Sequence, residues 1–210
     1  MKPLVFLFVF LFVFLSFTSL SQSFVPLKDT KTFKQEMKKF TSEMKTLEVE
    51  VEESKHLSIL NEVEKGKGKL YYQQKDMIRW EMNNPGKNVF LFCNHELKMM
   101  ENGKEIKSPN QKQIGKKIHE MMLSLLSGNF LDEKLFNIVY ESNKNQFKLL
   151  CTPKNKQMKN NLQRLECYFN KENYLCEKLV FVENENNKVI YVFFNPKVNV
   201  SLPKNIFKQF

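Results

Sequence analysis

Between Gly66 and Pro85 the chain reads GKGKLYYQQKDMIRWEMNNP, and apolar side chains recur at every second position through Ile78, Trp80 and Met82. A period of two marks a strand with one apolar face. Leu70 and Tyr72 carry the same face on the strand before. The period changes to a helical one over Thr30 to Leu47, where Phe33, Met37, Phe40, Met44 and Leu47 recur at spacings of four, three, four and three. Asp29 or Thr30 is placed to cap this helix, and lysines fill its other side. LEVEV from Leu47 to Val51 then alternates strictly, so a strand follows almost without a loop, with Ser54 to Leu60 as its continuation or edge.

Strands are predicted over 67–73, 77–82, 88–94 and 96–101, then over 136–141, 146–152, 162–169, 175–183 and 188–194. Asn83-Asn84-Pro85-Gly86 and Asn102-Gly103 are turns, because Gly accepts positive φ and Pro fixes it negative. One helical stretch interrupts them: Gln111 to Leu126 sets Ile114, Ile118, Met121, Met122, Leu125 and Leu126 along one side, ended by Ser127-Gly128. Pro196 and Pro203 are expected to close the ordered region, with Ile206-Phe207 pinning the tail. About ten short antiparallel strands must curl, since large open sheets twist. The amphipathic helices need cover, which the concave face of such a sheet supplies. The predicted fold is α+β: a curled antiparallel half-barrel (an unclosed β-barrel) covered by a lid of two or three helices.

The start of the chain sets the expected compartment. Met1-Lys2, an unbroken apolar run from Leu4 to Leu15, and small residues around Ser19 to Ser23 read as a signal peptide over 1–21. That run is shorter than the ~20 residues of a membrane span. Residues 22–210 are then one exported domain, long enough for a real core. The formal charge is +10, with lysine spread among glutamate and no arginine-rich tract. Such a pattern reads as a solubilising surface, with affinity for anionic membrane surfaces or acidic partners as the alternative, and is no sign of nucleic-acid binding.

The chemistry of a catalyst is missing from this pattern. His56, His95 and His119 stand far apart, and no nucleophile elbow, phosphate loop or H-E-x-x-H run accompanies them. No metal, cofactor or enzymatic activity is expected. Cys93, Cys151, Cys167 and Cys176 match no metal spacing. Cys167 and Cys176 flank the turn Asn170–Asn173, so a hairpin either brings them within bonding reach or, one register away, places them on opposite faces as free thiols. Methionine is prominent on both helices, and it suits surfaces that accept varied apolar shapes. With Trp80, Phe90 and Phe92 on the facing strands, it composes either a packed core or an apolar pocket.

Four segments resemble one family, the LolA-like outer-membrane lipoprotein carriers. Arg79-Trp80-Glu81-Met82-Asn83-Asn84-Pro85 resembles that family's R-W-E-Y-x-x-P, and Val51, Glu53, Lys55 and Leu57 fall where it shows F-x-Q-x-K-x-L. Leu149 to Lys154 is similar to its L-x-P-K turn, and Val192 to Phe207 to its closing F-x-N-x-x-x-N-x-x-x-P-x-x-x-F. The resemblance covers Phe33 to Phe207.

It implies a periplasmic chaperone of lipoprotein transport, which binds the acyl chains of lipoproteins released from the inner membrane and delivers them to the outer membrane. Its partners would be acylated lipoproteins, an inner-membrane ABC-type release complex and an outer-membrane acceptor, with the protein itself a monomer. The alternative is a periplasmic lipoprotein-sensing or regulatory module of similar half-barrel fold. The acyl-chain cavity would be lined by Phe33, Met37, Phe40 and Met44 from the first helix and Met121, Met122 and Leu125 from the second. Leu70, Tyr72, Ile78, Trp80, Met82, Phe90 and Phe92 would supply the sheet side. Relatives carry Lys-Arg-Pro where this chain has Gln73-Gln74-Lys75, and that arginine is implicated in closing the lid. Gln74 therefore puts the latch in question, with Lys75 and Arg79 as candidate substitutes.

Overall fold

The structure is a computed structural model and describes residues 23–60, 62–74, 77–83, 86–93, 96–107, 122, 126, 133, 135–160 and 162–208. In chain order the elements are β1 (Val25–Pro26), α1 (Thr30–Glu43), β2 (Thr46–His56), β3 (Glu64–Gln73), β4 (Met77–Met82), β5 (Asn88–Cys93), β6 (Glu96–Glu101) and β7 (Lys104–Glu105). They continue with β8 (Phe136–Ser142), β9 (Gln146–Pro153), the short α2 (Lys156–Lys159), β10 (Arg164–Asn170), β11 (Cys176–Val182) and β12 (Lys188–Val198). All twelve strands join one antiparallel sheet in the order β1-β8-β9-β10-β11-β12-β2-β3-β4-β5-β6-β7. β1 and β7 do not pair with each other, so the barrel is unclosed.

Asp29 caps α1 through its carboxylate, which accepts the Thr32 N–H at 2.9 Å. Its apolar stripe lands on the sheet: Phe33, Met37 and Met44 are 3%, 1% and 2% exposed. Phe33 reaches Phe147 of β9 at 4.5 Å between ring centroids and Tyr140 of β8 at 6.1 Å. The core is this helix stripe packed on one face of the sheet, with Val51, Leu149, Cys151, Leu165, Cys167 and Leu179 sealed from solvent. The other face is mostly polar. There Glu48 is bridged by Lys69 of β3 and Lys197 of β12, at 3.2 and 3.5 Å.

Several boundaries differ from the sequence reading. α1 ends at Glu43 and Met44 is its extended cap residue, so Leu47 belongs to β2. Pro196 does not close the sheet, because β12 runs through it to Val198. The register with β2 shifts between Phe194 and Lys197 and Asn195 takes φ 52°, an irregularity that accommodates a residue with no N–H to donate. The tail reading is met: the Ile206 carbonyl accepts a hydrogen bond from Arg79 Nη1 at 3.2 Å. β1, β7 and α2 carry too few residues to show a period. The predicted helix over Gln111 to Leu126 lies outside the described residues except for Met122 and Leu126, which are helical. Among the described residues only α1 covers the sheet as a full helix, where two or three were expected.

Of the two outcomes open for the cysteine hairpin, the structure takes the free thiols. A bulge between Tyr168 and Phe169 sets Cys176 opposite Phe169 and Cys167 opposite Leu179, and all four cysteines are free. Cys167 turns instead to Cys151 on β9, with which it shares a hydrogen bond; burial pushes its thiol far above the ordinary range.

Candidate functional site

Register fixes which predicted site residues share a face. Leu47 opposes Tyr72, Val49 opposes Leu70, and Leu70 and Tyr72 oppose Trp80 and Ile78. Trp80 and Ile78 in turn oppose Phe90 and Phe92 on β5. The alternation read from the sequence thus becomes one apolar surface spanning β2 to β5. It is buried unevenly. Leu70, Tyr72 and Ile78 are core, whereas Trp80, Met82, Phe90 and Phe92 are half-buried. Met121 and Leu125 lie outside the described residues; Met122 is 4% exposed and belongs to the core.

A cavity of about 40 Å³ opens under α1. Phe40, Thr41, Met44 and Met122 form its helical side, and Leu47, Val49 and Leu70 part of its sheet side. Tyr174 and Leu175 of the β10–β11 connection, Cys176 and Leu179 of β11 and Phe193 of β12 line it beyond β2. These last residues escaped the sequence reading, which placed the sheet side of the pocket on β3 to β5 alone. Their alternation in β11 and β12 was visible, but nothing in it said that the helix would lean that way. Phe33 and Met37 pack deeper in the core and do not line the space. About 10–15 Å³ of such space holds one water, so the cavity takes about three. An acyl chain fits only when α1 or the methionine side chains move.

α1 is held at its C-terminal end by three side-chain bonds. Gln74 Nε2 donates to the Ser42 carbonyl at 3.0 Å. Asn199 Oδ1 accepts from the Lys45 N–H at 2.7 Å, and its Nδ2 donates to the Glu43 carbonyl at 3.3 Å. At the other end Lys34 pairs with Glu133, which also accepts from the Tyr140 hydroxyl at 2.8 Å. These two hydrogen bonds hold the Glu133 carboxyl below its ordinary range. The described partners of Arg79 lie away from α1. Arg79 lies on the opposite face of the sheet from Trp80, 6% exposed, paired with Glu81 and with the tail carbonyl of Ile206. Lys75 lies outside the described residues.

Where β2 leaves the core, the apolar surface ends in a polar cluster. Glu53, 7% exposed, accepts from Lys55 at 3.2 Å, and Lys55 also reaches Glu64 at 3.0 Å. Burial, and then the Glu53 carboxylate to which the hydroxyl is hydrogen-bonded, push the Tyr191 phenol far above its ordinary range. The hydroxyl therefore stays protonated and donates. Burial drives Lys55 down, but the carboxylates of Glu64 and Glu53 outweigh it and hold the ammonium above its usual range. The cluster satisfies itself and exposes no reactive group. Among the described residues no group of His, Cys, Asp and Glu side chains is arranged to hold a metal ion.

An open antiparallel sheet with a methionine-bearing helix laid over its apolar face defines the class of the fold, an unclosed barrel with a helical cover. A family model described as outer membrane lipoprotein carrier protein LolA matches residues 42–209, and the chain belongs to this family. No curated protein matches it significantly.

Among solved structures, a chain of the Pseudomonas aeruginosa MucA/MucB complex shares the fold at a TM-score of 0.51 and 6% identity. That match covers 83% of this chain and 59% of the other. An uncharacterized conserved protein from Thermus thermophilus scores 0.48 at 12% identity, covering 84% of this chain and 93% of that one. LolA superfamily protein NE2245 from Nitrosomonas europaea scores 0.36 at 10% identity, covering 83% and 97%.

Proposed function

We propose that the protein is a periplasmic, non-enzymatic carrier that receives acylated lipoproteins from an inner-membrane ABC-type release complex and delivers them to the outer membrane or an acceptor there. Residues 1–21 serve as the signal peptide and 22–210 as the carrier domain. The observation that carries this reading is the continuous apolar surface beneath α1, in a chain that belongs to a family of lipoprotein carriers.

Each acyl methylene withdrawn from water contributes about 0.8 kcal/mol, so lipoprotein tails left in water insert wherever a bilayer is at hand. A carrier must match that burial and still release. The cavity suits both needs by being narrow as folded, with walls that can yield. Its helical side is Phe40, Met44 and Met122, and flexible thioethers repack at low cost. The space grows as α1 lifts, with the predicted second helix completing the lid. Closure in the empty state keeps the apolar lining from becoming an aggregation surface. The half-buried Trp80, Met82, Phe90 and Phe92 extend the same surface towards solvent and would take the chains as they enter.

The test is release. Purified protein mixed with inner-membrane vesicles and ATP should bring lipoproteins into the soluble fraction; none released beside a working carrier would sink the proposal. A second reading, a regulatory module that senses lipoproteins, shares the fold with a chain of the MucA/MucB complex. It predicts binding of lipopeptide without onward transfer to outer-membrane vesicles.

A further inference from the structure

α1 turns a row of ammonium groups outwards, opposite the stripe it buries. At about 100° per residue, Lys31, Gln35, Lys38, Lys39 and Ser42 all fall within about 60° of the direction opposite Phe33, Met37 and Phe40. All five are exposed. Lys31, Lys38 and Lys39 enter no salt bridge among the described residues. The acids of the segment stand elsewhere. Glu36 and Glu43 point about 90° or more from that direction. Asp29 is the cap; its hydrogen bonds with Thr32 do most to lower its carboxyl, and the Lys31 charge does least. Lys34, on the flank, is taken by Glu133, and Lys28 and Lys45 are exposed at the two ends.

This face has charge and no anchor. A tightly held protein partner needs a hot spot, most often an aromatic side chain or an arginine seated in a pocket, and none of the five residues offers one. Lysine is a point charge without the fork by which arginine grips a single carboxylate or phosphate. Three such charges on a convex helix suit a plane of spread negative charge, where each adds about fivefold to the affinity.

We infer that the outward face of α1 docks on the surface of an anionic lipid bilayer. Screening confines the attraction to about 10 Å at ordinary salt, so lysines in the plane of contact count and those elsewhere on a chain of formal charge +10 do not. Docked in this way, α1 lies flat between the bilayer and the cavity it covers. The inference goes beyond the carrier reading and stands without it, because it concerns the polar side of the helix and not the apolar one.

Co-sedimentation with lipid vesicles tests it, using residues 22–210 because the apolar run of residues 4–15 would itself enter lipid. Vesicles of phosphatidylcholine with about one-third phosphatidylglycerol bind the protein tenfold or more tighter than phosphatidylcholine alone, and ~1 M salt, with its screening length of ~3 Å, releases it. K31E/K38E/K39E loses that binding by about tenfold or more with its melting temperature held, and the milder K31Q/K38Q/K39Q loses it in the same direction. K65E/K104E/K188E makes the same change in net charge at exposed lysines of β3, β7 and β12, and keeps binding within about threefold. Polyglutamate of equal anionic charge binds more weakly than the vesicles. Equal binding to the two kinds of vesicle, or equal losses in the two glutamate variants, overturns the proposal. So does unchanged binding in K31Q/K38Q/K39Q. Polyglutamate bound as tightly as the vesicles overturns it too and assigns the face to an acidic polypeptide.

Discussion

The Trp80 indole meets the Tyr191 ring edge-on, with centroids 4.9 Å apart at 69°, although β2 and β3 lie between their strands. Three strand spacings of about 4.8 Å would separate the two positions by about 14 Å on a flat sheet. Curl and a missing side chain close the gap. Gly68 sits between Val51 and Met82 in register, on the face that Trp80 crosses. The Tyr191 ring is fixed by its bond to Glu53, so the indole has a rigid neighbour.

Trp80 is the only tryptophan, and it lies half-buried at the rim of the apolar surface. Its emission should shift to the blue as a diacylated lipopeptide is titrated in. An unchanged spectrum at saturation removes Trp80 from the path of the chains. Trp80→Ala should cost about 1–2 kcal/mol in urea unfolding, more than area alone predicts, because the pair with Tyr191 goes too.

Gly68→Ala should be among the most damaging single-methyl additions to this chain. A Cβ there would meet the Glu81 carbonyl oxygen at 1.8 Å and Met82 Sδ at 2.8 Å. The first obstacle is backbone and cannot turn aside. The loss should reach about 3 kcal/mol, or the protein should fail to fold. A melting temperature within a degree or so of the parent would show that β3 and β4 do not approach so closely.

Gln74→Ala and Asn199→Ala each remove a tether from the C-terminal end of α1. Each should cost about 0.5–1.5 kcal/mol. More specifically, both should speed amide exchange over 37–43 while leaving β9 and β10 protected. Asn199 should cost more, since it also holds φ at 57°, where Asn is favoured over Ala. Uniform exchange change across the sheet would mean that these bonds stabilise the whole fold and do not govern the helix.

Stability should fall in acid partly through Glu48. Burial raises its carboxyl, but the hydrogen bond from Lys69 and the charges of Lys197 and Lys69 outweigh that and hold it below its ordinary 4.5. A group depressed in the folded state contributes stability above the unfolded value and loses it as pH falls through the folded one. Melting temperature should therefore drop below pH 4.5, and Glu48→Gln should show a shallower drop. Parallel curves for the two proteins would remove Glu48 from the account.

Thiol labelling separates the cysteines by burial. Cys93 is half-buried, whereas Cys151 and Cys167 are fully buried. Alkylation of the native protein should modify Cys93 first and reach Cys151 and Cys167 only on unfolding. The unreduced mass should be that of four free thiols. A Cys167–Cys176 bridge in that mass would overturn the register at the Tyr168 bulge.

The strands were readable because each has a face to bury and its alternation says which. β4 and β6 begin and end where their patterns do, and the α1 stripe named Phe33, Met37 and Met44 before any contact was known. β1, β7 and α2 were not, since two to four residues hold no period. Nor was the pocket wall of Tyr174, Leu179 and Phe193, whose apolar character was plain but whose neighbours were not.

By itself the sequence determined which side chains face which way along each strand and helix, because periodicity is a local consequence of backbone geometry. It also carried the family motifs. The tertiary structure alone decided that Arg79 clasps the tail, that Gln74 and Asn199 hold α1, and that Cys167 turns to Cys151. Those partners lie far apart in the chain or depend on one bulge and one glycine, and their meeting is set by how a twelve-stranded sheet curls, a property of all its pairings together.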